Sequence, residues 1–495
     1  MSLSLFEIPD GVSQITKTLK NAGFEAFLVG GCVRDLILGK KPKDWDVTTN
    51  ATPEQIISLF PKTFYENSFG TVGVVTEMAE DPSLEIVEVT PYRLETVYSD
   101  FRHPDKVSFS QNLEDDLKRR DFTINALALD EGSDGKASRI VDLYNGQKDI
   151  RDHIIRCVGD GNERFSEDAL RMLRAVRFLA ELGFTINKET ADALMLNVKL
   201  IQNIAFERIR DEFSKIIMSD EPMIGIIMAQ KLGILRYIVP ELEESIGVEQ
   251  NQAHAFAVWE HLLRSLQHAS DKKWPLEIRL AALFHDIGKP KSRRKSPETG
   301  EWTFYGHEVI GEKMTRKILE RLKYPKKVVD QVTTLVRWHM FFSDTEKITH
   351  TAVRRMIRNV GQENIWNLMN LRICDRIGTG RPKENPYRFR KYKAMIDEVM
   401  RDPVSVGMLK IDGKRIMEVA KINPGPKVGY ILNALLEEVL EKPALNTSEY
   451  LENMAKKLAI LDDTELKKLS EKGKEKKEEI EEIELKKIHQ KHHIE

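Results

Sequence analysis

The apolar run Phe27-Leu-Val29 ends in two glycines, and a helical pattern from Val33 to Leu38 follows directly. This order predicts a strand, a tight turn and a helix, because glycine reaches backbone conformations that other residues rarely adopt. Backbone amides in such a turn can approach a triphosphate closely, and Arg34 in the helix can add charge-assisted hydrogen bonds. The segment therefore predicts an α/β fold at the front of the chain, with Gly31 and Arg34 as candidate phosphate-binding residues.

Two aspartates, Asp44 and Asp46, come next in the pattern Asp-Trp-Asp. Side chains of a strand alternate between its faces, so both carboxylates are expected on one face. There they can hold two Mg²⁺ ions, which would activate an attacking hydroxyl and neutralise charge on a leaving phosphate. An Asp-x-Asp pair alone is also typical of a solvated turn. Glu88, on a later predicted strand, is a candidate third carboxylate, and a salt-bridged strand residue is the alternative.

A third segment, Arg119-Arg-Asp-Phe-Thr-Ile-Asn125, combines arginines with an acid and an amide. Arg120 is expected to contact a phosphate and Asp121 the hydroxyls of a ribose. Asn125 follows Asp121 by one helical turn and is expected on the same face. A helix-capping aspartate flanked by surface arginines is the alternative interpretation.

Charged residues recur at every third position in the stretch from Glu167 to Phe178, with apolar residues between them. The residues expected along one side of this helix are Asp168, Arg171, Arg174 and Arg177. Asp168 can accept from the amino group of cytosine or adenine, and Arg171 can donate to the adjacent acceptor. Uracil and guanine present the reversed pattern. The other two arginines can hold a triphosphate or a primer end, whereas a salt-bridge ladder is the structural alternative.

The length of 495 residues exceeds what one hydrophobic core usually supports, so several domains are expected. Strand patterns give way to amphipathic helices, then to a histidine-rich region and a Lys/Glu-rich end. The predicted segments are an α/β head at 1–150, a helical neck and body at 151–245, an all-helical domain at 246–400, a helical tail region at 401–465 and a charged tail at 466–495.

Several features predict a cytoplasmic protein without a membrane partner. No apolar run approaches the roughly 20 residues of a membrane span, and the first residues lack the regions of a signal peptide. The three cysteines lie far apart without metal-ligand spacing, which suits a reducing compartment. The net charge of -2 argues against indiscriminate nucleic-acid binding, although it averages over local patches.

The segments beginning at Gly30, Asp44, Arg119 and Glu167 resemble, in this order, the class II tRNA nucleotidyltransferase and bacterial poly(A) polymerase family. Glu207–Phe213 resembles a later helical motif of that family. The resemblance implies a head of the polymerase-β type with Mg²⁺ at Asp44 and Asp46. It also implies ATP or CTP binding by Gly31, Arg34, Arg120, Asp168, Arg171, Arg174 and Arg177. The loop from Tyr92 to Arg102 resembles the family's flexible loop, which implies that the final adenosine can be added.

The stretch Leu280–Pro290, with adjacent histidine and aspartate, resembles an HD-superfamily metal phosphohydrolase. A histidine and the aspartate after it can face one ion where a helix bends. By this resemblance the expected ligands of a divalent metal are His261, His285, Asp286 and Asp375, with His307 and His339 as candidates for a second ion. Hydrolysis by this domain stays open, because HD domains in the family also serve as RNA-binding or structural units.

The resulting prediction is an α/β polymerase-β-like nucleotidyltransferase head followed by a mostly all-α neck, body, HD domain and tail. The expected function is template-independent addition of CCA to the 3′ end of tRNA from CTP and ATP. A poly(A) polymerase is the nearest alternative, and a non-catalytic RNA-binding module is the alternative from a different class. The basic and aromatic stretch Arg381–Lys393 fits an RNA contact or a solvated helix face equally well. The sequence leaves open the oligomeric state and whether only part of CCA is added.

Overall fold

A computed structural model of the protein describes residues 6–65, 70–76, 84–96, 106–132, 137–251, 255–341, 348–401 and 406–494. The predicted fold class is confirmed, because an α/β head comes first and the remainder is mostly helical. The chain forms two compact units. The first unit comprises Met1–His339 with Asn370–Pro382, and the second unit comprises Met340–Met369 with Lys383–Glu495.

A mixed sheet forms the centre of the head. The strands found among the described residues are β1 (Ala26–Val29), β2 (Asp46–Thr49), β3 (Thr63–Tyr65), β4 (Val72–Val75), β5 (Ile86–Pro91), β6 (Arg93–Thr96), β7 (Lys106–Phe109), β8 (Leu127–Glu131), β9 (Ala137–Asp142), β10 (Ile154–Ile155), β11 (Thr185–Ile186), β12 (Arg294–Lys295) and β13 (Trp302–Thr303). The order in the main sheet is β3-β4-β5-β2-β1-β8-β9. Strands β2 and β5 run parallel, whereas β1 is antiparallel to both β2 and β8.

Helices connect the strands and build the rest of the chain. Those of the described residues up to His339 are α1 (Asp10–Asn21), α2 (Gly31–Ile37), α3 (Pro53–Leu59), α4 (Leu113–Lys118), α5 (Gly146–Arg151), α6 (Gly161–Glu167), α7 (Leu170–Leu182), α8 (Lys188–Asn197), α9 (Phe206–Met218), α10 (Pro222–Lys231), α11 (Leu235–Ile238), α12 (Pro240–Glu243), α13 (Val258–Asp271), α14 (Leu276–Phe284), α15 (Lys289–Ser292), α16 (His307–Arg321) and α17 (Lys326–Trp338). The later helices are α18 (His350–Val360), α19 (Ile365–Gly378), α20 (Tyr387–Met400), α21 (Gly413–Ala420), α22 (Pro426–Glu441), α23 (Ser448–Ala459) and α24 (Asp463–His492). No helix of the described residues has both the length and the apolar composition needed to cross a bilayer.

The glycine turn forms as predicted. Strand β1 ends at Val29, Gly30 adopts a φ of 82°, and α2 begins at Gly31. A φ in this range is strained for residues with a Cβ, so Gly30 fits the position for a conformational reason. All four residues of β1 are buried, because the strand lies inside the sheet between β2 and β8.

The Lys/Glu-rich end forms one helix of 30 residues, α24. Asp462 caps it by accepting hydrogen bonds from the amides of Thr464 and Glu465. Leu466, Ser470 and Gly473 are buried, so one face of this charged helix packs within the second unit. Its C-terminal turn is held through hydrogen-bond contacts, since Nε2 of His489 lies 2.9 Å from Oε1 of Glu398 and Nε2 of His492 lies 2.8 Å from Oδ2 of Asp397. These histidines therefore have a structural role.

A glycine pair tests the packing of α24. A Cβ placed on Gly473 would overlap the carbonyl oxygen of Asn433 in α22, whereas a Cβ on Gly429 meets nothing within 4 Å. Alanine favours a helix over glycine by about 1 kcal/mol, and overpacking costs about 1–3 kcal/mol. We expect Gly429→Ala to raise the urea midpoint of unfolding and Gly473→Ala to lower it. If both variants gain stability, α24 does not pack closely against α22.

Candidate active site and metal centre

Two acids of neighbouring strands and a third in the bend before β2 form what is called here the carboxylate edge, namely Asp46, Glu88 and Asp44. Asp46 opens β2, and its register partner in parallel β5 is Glu88. The flanking partners Val47 and Val89 are fully buried, so the two acids share the opposite face of the sheet. Asp44 is exposed in the bend before β2 and not, as expected, within the strand. The three acids can present oxygen ligands to a hard divalent cation.

The glycine turn lies beside this edge. A Cβ placed on Gly30 would lie 2.9 Å from Nη1 of Arg120 and 3.6 Å from Oδ2 of Asp46. A Cβ placed on Gly31 would lie 3.6 Å from Nη2 of Arg34. A side chain at Gly30 would therefore displace Arg120. Because glycine has no side chain, the guanidinium of Arg120 stays close to the turn and to Asp46. This combination of cation, backbone turn and carboxylate suits a triphosphate with its metal.

Asp116 holds the two arginines of the predicted phosphate-binding segment. Its carboxylate is fully buried and accepts from Arg119 Nε at 3.0 Å and from Arg120 Nη2 at 3.0 Å. Burial alone would raise the pKa of Asp116, but the charges and hydrogen bonds of the two arginines outweigh it and lower the pKa. The acid thus stays ionised and orients Arg120. Sequence reasoning missed it, although its spacing of four residues from Arg120 was a usable signal.

Asp121 connects α7 to the head. Its Oδ1 accepts from the amide of Phe122 at 2.8 Å and from Nδ2 of Asn125 at 3.2 Å. Its Oδ2 accepts from Nε of Arg174 in α7 at 2.7 Å. Oδ1 of Asn125 then accepts from Nη1 of Arg34 in α2 at 2.8 Å. The predicted proximity of Asp121 and Asn125 is observed, and a continuous hydrogen-bonded chain joins α7 to the helix of the glycine turn.

The partners in this series of hydrogen bonds shift the pKa of Asp121 strongly. Burial would raise the pKa of Asp121, but the charges of Arg174 and Arg171 and the hydrogen bonds of Arg174 and Asn125 lower the pKa to about 2. The ring of Phe178 packs against the same arginines, with the guanidinium carbons of Arg34 and Arg174 lying 5.2 and 5.4 Å from its centroid.

Asp168 lies between two helices and not within one. It follows α6, and α7 begins only at Leu170, whose amide donates to its Oδ1 at 3.0 Å. Arg208 of α9 donates to both carboxylate oxygens, at 3.3 and 2.7 Å. Sequence reasoning did not identify Arg208 as a partner, because the two residues are 40 positions apart in the chain.

The remaining arginines of α7 pair with acids other than Asp168. Nη1 of Arg171 donates to Glu167 at 2.6 Å, and its Nη2 donates to the carbonyl of Arg119 at 2.9 Å. Nη1 of Arg177 donates to Glu212 of α9 at 2.9 Å. The ladder between Asp168 and Arg171 is therefore not formed. Ion pairs instead fasten α7 to α6, to α9 and to the head.

All four predicted metal ligands of the histidine-rich region meet in the first unit and are buried. Nε2 of His261 in α13 lies 2.8 Å from Nε2 of His285 and 3.1 Å from Oδ2 of Asp286. Oδ1 of Asp375 in α19 lies 3.5 Å from the same atom of His261. Helix α14 ends at Phe284, so the predicted bend places His285 and Asp286 in a turn.

The two candidates for a second ion face the other oxygen of the same aspartate. Oδ1 of Asp286 lies 3.1 Å from Nε2 of His307 and 3.4 Å from Nε2 of His339. His261, His285 and Asp286 form one potential metal-binding group, and Asp286, His307 and His339 form another. Nζ of Lys289, a residue not singled out from the sequence, lies 2.6 Å from Oδ2 of Asp286.

Backbone carbonyls fix the histidine tautomers. Nδ1–H of His285 donates to Ala282, that of His307 to Phe304 and that of His339 to Val336, at 2.9, 2.7 and 2.7 Å. In the neutral ring, Nε2 then carries the lone pair that faces Asp286. Burial lowers the pKa of His285 to about 3, which favours the neutral form. This is the hydrogen-bonding arrangement that metal-ligating histidines adopt.

Comparison with known families covers most of the chain. Residues 26–156 match the model of the poly A polymerase head domain, 183–246 match the probable RNA and SrmB- binding site of polymerase A, and 258–380 match the HD domain. The CCA-adding enzyme of Lactiplantibacillus plantarum is 31% identical over 449 residues, which cover 90% of this chain and 95% of that protein. The chain belongs to the CCA-adding enzyme family.

Other members of the CCA-adding enzyme family differ in what they add. A CC-adding tRNA nucleotidyltransferase of Thermus thermophilus is 33% identical over 84% of this chain and 90% of that protein. The solved CCA-adding enzyme of Bacillus stearothermophilus in complex with CTP has a TM-score of 0.59 and 28% identity, covering 90% of this chain and 96% of that one. Identity alone therefore does not separate CC addition from CCA addition. Residues 97–102 of the predicted flexible loop, which runs from Tyr92 to Arg102, lie outside the described residues.

The pKa of Asp121 leads to a stability prediction. Because folding lowers the pKa of Asp121, its ionised carboxylate stabilises the fold at every pH above the ordinary pKa of an aspartate. This stabilisation is lost as the pH falls towards about 2. We expect Asp121→Asn to reduce the free energy of unfolding by about 2 kcal/mol at neutral pH, with a smaller difference in acid. Urea denaturation at several pH values measures this. Asp192→Asn removes an exposed pair with Lys188 and should have little effect. If the difference in unfolding free energy between Asp121→Asn and wild type does not vary with pH, the lowered pKa of Asp121 is wrong.

Proposed function

We propose that this member of the CCA-adding enzyme family adds cytidines and the terminal adenosine to the 3′ end of tRNA, using CTP and ATP in the cytoplasm. The observation that carries the proposal is that Arg120 and the carboxylate of Asp46 both border the Gly30 turn. A triphosphate held by the turn and Arg120 would have its reacting phosphate close to the acids. The three named relatives are CCA-adding or CC-adding enzymes, and they support the same chemistry.

We propose that Asp44 and Asp46 hold Mg²⁺, with Glu88 as a third candidate ligand. The donor set consists of carboxylate oxygens on a partly exposed face of two interior strands and in the bend before β2, and such a set suits Mg²⁺. When bound there, the metal lowers the pKa of the attacking 3′ hydroxyl and neutralises charge as pyrophosphate leaves. Arg120, fixed by Asp116, would orient the triphosphate, and the Gly31 amide and Arg34 would contribute to its binding.

We propose that Asp168 reads the base. Its Oδ2 accepts one hydrogen bond from Arg208 among the described contacts, so lone-pair capacity remains for the amino group of cytosine or adenine. Arg208 would orient the carboxylate without reading the base itself. Arg171, Arg174 and Arg177 lie on the helix that follows and would bind the nucleotide or the primer end.

We propose that the HD residues hold two divalent ions, one at the group with His261, His285 and Asp286 and the other at the group with Asp286, His307 and His339. Mixed imidazole and carboxylate donors suit a first-row transition metal better than Mg²⁺. Nε2 of His307 and Nε2 of His339 lie 3.3 Å apart, close enough to ligate one ion together with Oδ1 of Asp286. With metal bound, such a site supplies an activated water for phosphoester hydrolysis.

Nucleotide incorporation tests the proposed transfer. Purified protein is incubated with tRNA that lacks its 3′ end, Mg²⁺ and each labelled nucleotide separately or in pairs. We expect two cytidines and then one adenosine. Long adenosine tracts would instead support a poly(A) polymerase, and no incorporation would support an RNA-binding module. We expect Asp44→Asn to abolish incorporation and retain tRNA binding, whereas Asp130→Asn in β8 of the same sheet should keep activity.

The pair Asp168–Arg208 leads to a selectivity prediction. Asp168→Ala removes the acceptor, and Arg208→Ala frees the carboxylate to rotate, so both should lower kcat/KM for CTP and ATP relative to UTP. We expect a loss of discrimination of about tenfold or more, the size of one good hydrogen-bond contact. Arg210→Ala, on the same helix, is the matched control. Unchanged selectivity against UTP in both variants would exclude base reading by Asp168.

Metal content tests the HD proposal. We expect Asp286→Ala to lose both Mn²⁺ ions of the two groups in equilibrium dialysis, and His307→Ala to lose one of them. His268→Ala, a histidine of α13 outside these groups, should leave binding unchanged. An unchanged Mn²⁺ stoichiometry in Asp286→Ala would show that neither site depends on this aspartate.

A further inference from the structure

One row of paired residues crosses neighbouring strands of the main sheet and begins at an exposed aromatic ring. Phe64 of β3 pairs with Gly73 of β4, and Gly73 pairs with Glu88 of β5. Glu88 in turn pairs with Asp46 of β2. Residues opposite each other on neighbouring strands project from the same face of a sheet. Phe64 therefore shares the face of the two strand acids of the carboxylate edge.

The ring of Phe64 lies across the neighbouring strand, in the direction of these acids. A Cβ placed on Gly73 would lie 2.7 Å from Cε2 and 2.8 Å from Cε1 of Phe64, so the far end of the ring covers Gly73. Neighbouring strands lie about 4.8 Å apart, which places this glycine one strand spacing from Glu88. The ring can approach the acids in this way because position 73 has no side chain.

The ring is exposed although it is large and apolar. Phe64 is 40% exposed, and on the same face Ile86 of β5 is 42% exposed. The other face of these strands is filled, because Val72, Val74 and Val87 are buried there. Phe64 therefore does not belong to the core of the head, and a large part of its ring stays open to a ligand.

The position of the proposed triphosphate decides which ligand the ring faces. The Gly30 turn follows β1, which borders β2 on the side away from β5. Phe64 lies on the other side of the carboxylate edge, where β4 and β3 follow β5 in the sheet. In nucleotidyl transfer the attacking and the leaving oxygen lie roughly in line across the reacting phosphorus. With the leaving pyrophosphate at the turn, the attacking 3′ hydroxyl comes from the side of Phe64.

We propose that the ring of Phe64 stacks on the base of the 3′-terminal nucleotide of the RNA primer and so holds its 3′ hydroxyl beside Asp46 and Glu88. The identity of the ligand as an RNA primer rests on the proposed function, whereas the site rests on the sheet register and the exposed ring. An aromatic platform accepts every base, because each base has a π-face. Such a contact suits a transferase whose primer ends in a different base after successive additions.

Two primers and one substitution test the stack in the full-length protein. The RNA primers are identical except that one lacks the base of its 3′-terminal nucleotide. We expect the wild type to use the complete primer at least about fivefold better in kcat/KM, the lower end for stacking of one base on an aromatic ring. Phe64→Leu removes the ring and keeps an apolar side chain. It should lower kcat/KM for the complete primer by a similar factor and leave that for the abasic primer unchanged.

Two further variants serve as controls. Tyr65→Leu is the matched control, because Tyr65 is the next residue of β3, is 51% exposed and projects from the opposite face of the sheet. This variant should keep the wild-type preference for the complete primer. Phe64→Tyr retains an aromatic ring and should keep the preference as well. The KM for CTP should be unchanged in all three variants.

Several results would overturn the proposal. Unchanged use of both primers by Phe64→Leu would show that the ring does not contact the primer end. An equal loss with both primers would show that the ring supports only the sheet, and an equal loss of preference in Tyr65→Leu would show that the effect is not specific to the face of the acids. A raised KM for CTP with unaltered use of the primers would assign the ring to the nucleotide.

The primer pair keeps the test decisive where a variant or the reaction fails. If Phe64→Leu does not fold, the two primers are compared on the wild type alone, and equal kcat/KM for both overturns the proposal. If the wild type incorporates no nucleotide, the proposed function fails. The dissociation constants of the two primers, measured without nucleotides, then test the stack, since the wild type should prefer the complete primer and Phe64→Leu should not.

Discussion

The buried carboxylate of Asp121 is the interaction on which the front of the molecule depends. It joins Arg174 of α7 to Asn125, and through Asn125 to Arg34 of α2. A charge in such a position is costly unless every partner is present, and removal of one partner usually destabilises strongly. The helix that carries the proposed nucleotide contacts is thus fixed against the helix of the glycine turn. The turn in turn lies next to Asp46 and Arg120.

Local sequence patterns predict much of the fold around these two candidate sites. The strand, the Gly30 turn and α2 follow from residues adjacent in sequence, and so does the bend that carries His285 and Asp286. The pair Asp168–Arg208 and the engagement of Arg177 by Glu212 depend on how α9 packs against α7, which no local pattern specifies. The prediction that Asp168 lies in the same helix as Arg171 was wrong, because the chain changes direction between α6 and α7. The packing of α24 had one sequence signal, a glycine among charged residues, whose meaning required α22 beside it.

Two sets of candidate metal ligands in one chain differ in chemistry. The carboxylate edge offers oxygen donors at a partly exposed strand end, while the HD groups offer buried imidazoles held by backbone carbonyls. The first set favours an exchangeable hard cation that accompanies a nucleotide. The second favours a more tightly retained ion. Family membership covers both regions, since the matched head and HD models include them.

The hydrogen-bond contacts at the end of α24 also constrain how the protein acquires its structure during synthesis. His492 meets Asp397 across 95 positions, and His489 meets Glu398 across 91. Contacts of such long range form late, because the intervening chain must first be closed into a loop. Helix α20 therefore acquires these two partners only after residue 492 has been synthesised. Until then Asp397 lacks both Lys491 and His492, and Glu398 keeps only His350 of its two histidine partners.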